Sequence, residues 1–149
     1  MDGLFNLDWG QISFNLTHLG IAYILALPIA LDRDREQKGA GLRTFPLVAI
    51  AACGYTLVGV SVLDGSQAES RILEGIITGI GFIGGGAILK NKSAVMGTAT
   101  AASIWNTGVI GIAVAFSRYE IGLLLSLINF ATLRFIKTFK KDEEQSEVK

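Results

Sequence analysis

Four long stretches with almost no charged side chain constrain the fold of this sequence more than any other feature. Residues 12–31, 45–63 and 97–117 contain no Asp, Glu, Lys or Arg, and residues 72–89 contain only Glu74. A helix needs about 20 apolar residues to cross a bilayer core about 30 Å thick. Half of the 149 residues are hydrophobic and 17% are charged, whereas soluble domains carry about 25% charged residues. The sequence therefore predicts a polytopic membrane protein.

A fifth apolar stretch is shorter. Residues 121–133 are uncharged, and the stretch reaches span length at residue 139 if Arg134 and Lys137 extend to the interface. Backbone groups in hydrocarbon must be hydrogen-bonded internally, so each span should be a helix. We expect an all-α bundle of about five transmembrane helices over residues 1–139, with four spans plus an interfacial helix as the alternative. The polar residues 140–149 should form a disordered cytoplasmic tail.

The positions of the basic residues predict the orientation, because cytoplasmic loops retain Lys and Arg. Eleven of the 13 basic residues fall after the first span, after the third span or at the end of the chain, namely Arg33, Arg35, Lys38, Arg43, Lys90, Lys92, Arg134, Lys137, Lys140, Lys141 and Lys149. Only Arg71 and Arg118 fall in the alternate loops. We expect the N-terminus outside and the C-terminus inside, in the plasma membrane.

The third apolar stretch is rich in glycine. The candidates for close packing or for a helix break are Gly79, Gly81, Gly84, Gly85 and Gly86, preceded by Gly75. Small residues allow membrane helices to approach closely, which places the third and fourth spans centrally. The alternative is a break at 84–86 that lines a polar cavity. GIGFIG matches a dinucleotide pattern but lacks the strand and acidic residue that such a site needs.

Polar residues collect toward the predicted cytoplasmic side. They are Asp32, Arg33, Asp34, Arg43, Thr44, Thr100, Ser103 and Asn106. The charged members are either interface anchors or an ion-paired set that receives a cation or an anionic headgroup. The hydroxyl and amide groups either join helices together or line a cavity that opens inward.

On the outer side, Arg71 and Glu74 have the i,i+3 spacing of an ion pair. Glu74 is also a candidate functional carboxylate, because it lies just inside a span. His18 has no neighbours with metal-ligand spacing and should lie at the interface. No nucleophile and base are arranged for catalysis. We expect no enzymatic activity, no cofactor, no metal centre and no nucleic acid partner.

Several segments together resemble a known family. LDRD at 31–34, AGLRT at 40–44, Arg71, TGIGFIGGGAIL at 78–89 and TAASIW at 100–105 are similar in order and spacing to the membrane domain of the MgtC/SapB family. The resemblance covers nearly the whole chain, without the soluble C-terminal domain of longer members. It implies a bacterial inner-membrane protein linked to magnesium homeostasis that regulates other membrane proteins.

These observations leave three functional hypotheses. The first is a non-enzymatic regulator that acts through contacts with other membrane proteins. The second is a small oligomeric transporter or channel for an ion, such as a divalent cation, with a cavity open to the cytoplasm. The third is a scaffold that binds lipid headgroups through Arg33, Arg35 and Arg43. Five short helices enclose little volume, so we expect a homo-oligomer, with a dimer favoured.

Overall fold

The computed structural model is a bundle of five helices and one short β-hairpin. It describes residues 7–35, 40–63, 65–91 and 94–146, without the side chains of residues 91, 94 and 136–146. The elements in chain order are α1 (Trp9–Arg35), α2 (Thr44–Val62), α3 (Ser66–Gly86), β1 (Leu89–Asn91), β2 (Ala94–Met96), α4 (Thr98–Ala115) and α5 (Tyr119–Ser146). The prediction of an all-α helical bundle is confirmed. Lys38, Lys92 and Lys149 of the basic set lie outside the described residues.

Helix α4 forms the centre of the bundle and packs against all four other helices. Small residues allow this. A Cβ at Gly111 would overlap the carbonyl oxygen of Ala49 and lie 3.0 Å from the Cβ of Ala52, so α2 and α4 approach closely there. A Cβ at Gly108 would overlap the side chain of Ile80 in α3. Small residues of the fourth span therefore contact neighbouring helices, which agrees with the prediction that this span is central.

Helix α3 lies at the edge of the bundle, which corrects the prediction that it is central. Of its residues only Ile80 and Gly84 are buried. Gly84 approaches α4, where its Cβ position lies 3.1 Å from the carbonyl oxygen of Ala101. The other glycines of this helix have open space at their Cβ positions, and they are Gly75, Gly79, Gly81, Gly85 and Gly86. Glycine spacing shows where a close approach is possible, but it does not show that a neighbour from the same chain is present.

Helix α3 ends at Gly86 without a break inside it, and a hairpin that the sequence does not predict follows. The amide of Ala87 donates to the carbonyl of Gly84, and Ile88 donates to Gly85. Three consecutive glycines favour termination because glycine is a poor helix former. Strands β1 and β2 are antiparallel, with Lys90 opposite Val95. The helix of the third apolar stretch therefore ends at Gly86, about one turn before the predicted boundary at residue 89.

Three of the helices, α1, α2 and α4, are long and apolar enough to cross a membrane. Helices α3 and α5 run beside them at matching depths. The hydroxyl of Ser126 in α5 donates to the carbonyl of Leu25 in α1 at 2.6 Å, three residues before Pro28. Gly122 of α5 lies against Val114 of α4, and Ser103 of α4 contacts Asn129 of α5. Helix α5 is thus parallel to α1 and antiparallel to α4.

The described part of α5 continues to Ser146, so it is helical where the sequence predicts the start of a disordered tail at residue 140. Residues 147–149 lie outside the described residues. Among residues 119–135 of this helix, every fourth or third residue is buried against the bundle, beginning with Gly122 and Ser126. The large apolar side chains of this part that are more than half exposed are Leu124, Leu127, Ile128 and Phe135.

Candidate functional site

The C-terminal end of α1, which the sequence predicts to face the cytoplasm, carries a buried ion pair. Nη2 of Arg33 donates to Oδ2 of Asp32 at 3.2 Å, and the two side chains are only 4% and 6% exposed. Burial of charges costs free energy that the mutual attraction must offset, so these two groups depend on one another. The structure therefore brings together two members of the predicted charged set.

The other two charged members have separate positions. Asp34 is exposed, and its Oδ1 accepts the amide of Leu42 at 3.4 Å. A Cβ at Gly41 would lie 3.1 Å from the Cα of Asp34, so this loop folds back on the end of α1. Arg43 is exposed and precedes α2, and Thr44 is its half-buried first residue. The four charged residues do not share a single site, because Asp34 and Arg43 serve the connection into α2.

A cavity of about 340 Å³ opens between the C-terminal part of α1 and α5. Its lining consists of Pro28, Leu31, Asp32, Arg35, Phe130 and Arg134. Two arginines from different helices meet here, beside the buried pair of Asp32 and Arg33. The sequence predicts only that Arg134 lies at the interface. Arg134 is far from Arg35 along the chain, so no sequence pattern indicates that the two side chains line one cavity. The signal in the sequence is that a charged residue of the fifth span is predicted at the same depth as the LDRD motif at the end of the first span.

The predicted polar residues of α4 mainly join helices. Thr100 and Ser103 are buried and Asn106 is half-buried. The Ser103 hydroxyl lies 2.8 Å from the carbonyl of Ala99 and 3.0 Å from the side-chain oxygen of Asn129. The hydroxyl has one proton and can donate to only one of these two acceptors. If it donates to the carbonyl of Ala99, rotation of the Asn129 amide would let the Asn129 N–H donate to the Ser103 oxygen. These α4 residues line neither the cavity between α1 and α5 nor the groove between α2 and α3.

The groove between α2 and α3 has a volume of about 480 Å³. Its lining is Val48, Ala51, Ala52, Tyr55, Arg71, Ile72, Gly75, Ile76, Gly79, Ile80 and Ile83. From Arg71 to Ile83 the helix rises about 18 Å, which exceeds half of a bilayer core. The groove is apolar except at Arg71, near its outer end. Two of the predicted packing glycines, Gly75 and Gly79, line it with bare backbone.

Arg71 and Glu74 do not form the ion pair that their spacing predicts, although both side chains belong to the described part of the chain. Both are exposed, and an exposed pair at this spacing gains only a few tenths of a kcal/mol, too little to fix two long side chains. On the outer side, Arg118 and Glu120 are paired instead, with Nε and Oε1 3.4 Å apart.

His18 is a residue whose surroundings the sequence does not reveal. It is 3% exposed, so it is buried within the bundle. Its Nδ1 lies 2.8 Å from the carbonyl of Phe14, and its Nε2 lies 2.9 Å from the hydroxyl of Tyr119 and 3.3 Å from that of Ser117. Ser117 and Tyr119 follow His18 by about 100 residues, so no local pattern links them.

No cluster of three or more His, Cys, Asp or Glu side chains that could hold a metal ion occurs among the described residues. The fold, with its apolar exposed faces and three helices long and apolar enough to cross a membrane, defines a polytopic α-helical membrane protein. Residues 19–142 match the model of the MgtC family. The chain belongs to the MgtC family.

Curated relatives agree with this assignment. A Synechocystis protein is 34% identical over 136 residues, which are 89% of this chain and 56% of that protein. Protein SrpB of Synechococcus elongatus is 31% identical over 90% of this chain and 79% of its own length. The Escherichia coli protein named "Putative magnesium transporter YhiD" is 34% identical over 79% of this chain and 58% of its own length. No solved structure matches this chain.

Proposed function

We propose that this protein is a non-enzymatic inner-membrane protein linked to magnesium homeostasis, which regulates another membrane protein by contact between transmembrane helices. The link to magnesium rests on the family and on the name of the relative YhiD. The chain spans 56% of the Synechocystis relative and 58% of YhiD. Activities of these longer proteins are therefore assigned to this chain only as part of this proposal.

The groove between α2 and α3 is the observation that carries the proposal. Gly75 and Gly79 line it one helical turn apart, with nothing within 4 Å of their Cβ positions. Lipid tails do not drive helices together, so association depends on close packing against small residues. A partner helix can approach this backbone over the length of the groove. The occupant we propose is one transmembrane helix of the regulated protein.

Three buried hydroxyl groups favour regulation over ion transport by a single copy. Thr56, Ser103 and Thr107 each donate to the carbonyl four residues earlier in their own helix, at 2.8 Å. A magnesium ion loses its hydration shell reluctantly and needs about six oxygen ligands in octahedral geometry. Each of these hydroxyls is instead bonded within its own helix.

The proposal is tested by combining ion flux with crosslinking. A photoreactive amino acid at Ile76, in the groove, should crosslink to a membrane protein in cells growing at limiting magnesium. Gly79→Leu should remove that crosslink and the growth effect while the purified variant stays folded. The same photoreactive group at Leu127, on the exposed face of α5, is the matched control. It should not give the crosslink that Gly79→Leu removes.

A measurement of magnesium flux separates this proposal from the transporter alternative. Purified protein in liposomes should not move magnesium above the level of empty vesicles. Magnesium flux that disappears on Asp32→Asn, Glu74→Gln or Asn106→Ala would contradict the regulator. A crosslink at Ile76 only to a second copy would make the groove the interface of the expected homodimer and would also contradict a foreign partner at this surface.

A further inference from the structure

Helix α3 carries two opposite charges, Arg71 and Glu74, that are exposed and have no hydrogen bond or ion pair with the described part of the chain. The depth of Glu74 follows from the packing of α3 on α2, because a Cβ at Gly59 would overlap the side chain of Ile72. Gly59 lies three residues before the end of α2, and Glu74 lies two residues beyond Ile72. Glu74 is therefore about 7 Å inside that end of the bundle.

This depth makes an exposed carboxylate costly. Helices α2 and α4, on which α3 packs, are long and apolar enough to cross a membrane. A charged side chain that faces lipid inside a span is unfavourable unless an opposite charge reaches it. The structure thus shows a carboxylate that needs a cationic partner, and an arginine one turn away that does not bond to it in the same chain.

The face of α3 that carries Glu74 also carries Thr78, Gly81 and Gly85. At about 100° per residue, these four positions fall within about 60° of one another and extend about 17 Å along the helix. The face lies at least about 100° around the helix from the two glycines of the α2–α3 groove in one direction and from the buried Ile80 in the other. Gly81 and Gly85 have nothing within 4 Å of their Cβ positions. The described part of the same chain therefore leaves this face uncovered.

We propose that this face is the interface of a homodimer, in which α3 packs against α3 of a second copy and Arg71 of each copy pairs with Glu74 of the other. A two-fold axis along the membrane normal places equal residues of the two copies at equal depth. Arg71 and Glu74 are about 4.5 Å apart along the helix, a distance that a long arginine side chain bridges. One cation and one anion at this offset make the face complementary to itself.

Charge complementarity selects a second copy as the occupant, and the bare backbone at Gly81 and Gly85 allows the two helices to approach closely. The sequence predicts the same two residues as a pair within one chain, and a dimer without a defined interface. The dimer proposed here joins these expectations in one contact. It does not depend on the partner helix proposed for the α2–α3 groove, because Gly81 and Gly79 face different directions.

Energy transfer between donor-labelled and acceptor-labelled full-length chains in liposomes tests the interface. Gly81→Leu places a large side chain between the two helices and should weaken association about tenfold. Gly79→Leu makes the same change in the groove and is the matched control, which should weaken association less than about twofold. Both positions have open space, so neither variant should unfold the single chain. An unaffected Gly81→Leu, or equal losses in the two variants, would overturn the proposal.

Charge exchange tests the reciprocal pairs. Glu74→Arg gives two arginines in each copy and Arg71→Glu gives two glutamates, so each variant alone should associate about tenfold more weakly because like charges meet across the axis. A mixture of the two variants should recover energy transfer between them, which also shows that both are folded. Pairing within one chain or with a lipid headgroup does not depend on the charge of a second copy. Absence of preferred mixed dimers would therefore overturn the proposal.

Disulfide formation in membranes locates the contact. Thr78→Cys should give a covalent dimer under mild oxidation with copper phenanthroline, whereas Leu127→Cys on the exposed face of α5 is the control and should not. The native Cys53 is buried. The photocrosslink at Ile76 in the groove should persist in Gly81→Leu, which separates failure of the dimer from failure of the proposed regulation. A chain that stays monomeric, or a Thr78→Cys disulfide only to another protein, would overturn the proposal.

Discussion

The hydroxyl of Tyr119, at the first residue of α5, lies 2.9 Å from Nε2 of His18 in α1. Because Nδ1 of His18 lies 2.8 Å from the carbonyl of Phe14, that nitrogen carries the proton in a neutral ring, and Nε2 accepts from Tyr119. Phe14 also stacks on the imidazole, with ring centroids 4.0 Å apart. These contacts join the outer ends of two helices that are distant in sequence.

Tyr119→Phe should lower the free energy of unfolding by about 1 kcal/mol, because it removes one hydrogen bond and leaves Nε2 of a buried imidazole with a weaker partner. Tyr55→Phe is the control, since Tyr55 is 71% exposed and should have little effect. Denaturant unfolding in detergent would measure both. A His18→Ala and Tyr119→Phe cycle without coupling would contradict the direct interaction.

Glycines that contact other helices should behave differently from glycines that face open space. Gly111→Ala places a Cβ against the backbone of Ala49, which cannot rotate away, so we expect a loss of about 2 kcal/mol or more. Gly75→Ala meets no atom within 4 Å and should leave the stability unchanged or raise it slightly. Thermal unfolding of the two variants side by side measures the difference. Equal losses would show that α4 does not pack closely on α2.

The buried ion pair predicts a strong asymmetry between single and double substitutions. Asp32→Ala removes the carboxylate that accepts a hydrogen bond from the buried Arg33 and should lower the stability of the protein. Replacing both by leucine removes both desolvation penalties and should restore most of the stability. A cellular defect of Asp32→Ala would then follow from a lower amount of folded protein, which quantitative blotting measures. Normal abundance of Asp32→Ala would contradict such a loss of stability.

Asn129 should respond in opposite directions to two substitutions. The residue is 7% exposed, and when its side-chain oxygen faces Ser103 its side-chain nitrogen has no hydrogen-bond partner among the described residues. An unsatisfied buried polar group costs about 1–3 kcal/mol. Asn129→Leu should therefore stabilise the protein by about 1 kcal/mol, because Ser103 keeps its bond to Ala99. Asn129→Asp should destabilise it, and chemical unfolding would show the order. Stabilisation by the aspartate would contradict the buried surroundings of this side chain.

The orientation can be tested by cysteine labelling, since the native Cys53 is buried in α2 and should not react. Ser66 begins α3 on the predicted outer side, and Lys90 lies in the hairpin on the predicted cytoplasmic side. An impermeant maleimide should label Ser66→Cys in intact cells and Lys90→Cys only after permeabilisation. Labelling in the reverse order would invert the bundle.

The number and approximate bounds of the helices follow from the sequence because the lipid requirement is local. Each uncharged stretch predicts a helix of its own, and α1, α2 and α4 begin and end within a few residues of the predicted limits. The close contact of Gly108 with a neighbouring helix also follows, since the small residues of the fourth span permit it. Local composition is sufficient for these features.

Features that depend on which helices are neighbours do not follow from the sequence. The glycine-rich α3 looks central, yet its glycines mostly meet open space because it packs on α4 and, more loosely, on α2. The hairpin is not predicted because three-residue strands leave no periodicity to read. His18 with Tyr119, and Arg35 with Arg134, are pairs separated by about 100 residues. Proximity between them is a product of the tertiary fold.

The bond from Ser126 to the carbonyl of Leu25 lies just before Pro28, where the proline ring removes a backbone donor from α1 and allows the helix to bend. The hydroxyl ties α5 to α1 immediately above this hinge. Bending of α1 at Pro28 would therefore move residues 29–35 relative to α5, while the segment of α1 before the proline stays bonded to α5 through Ser126.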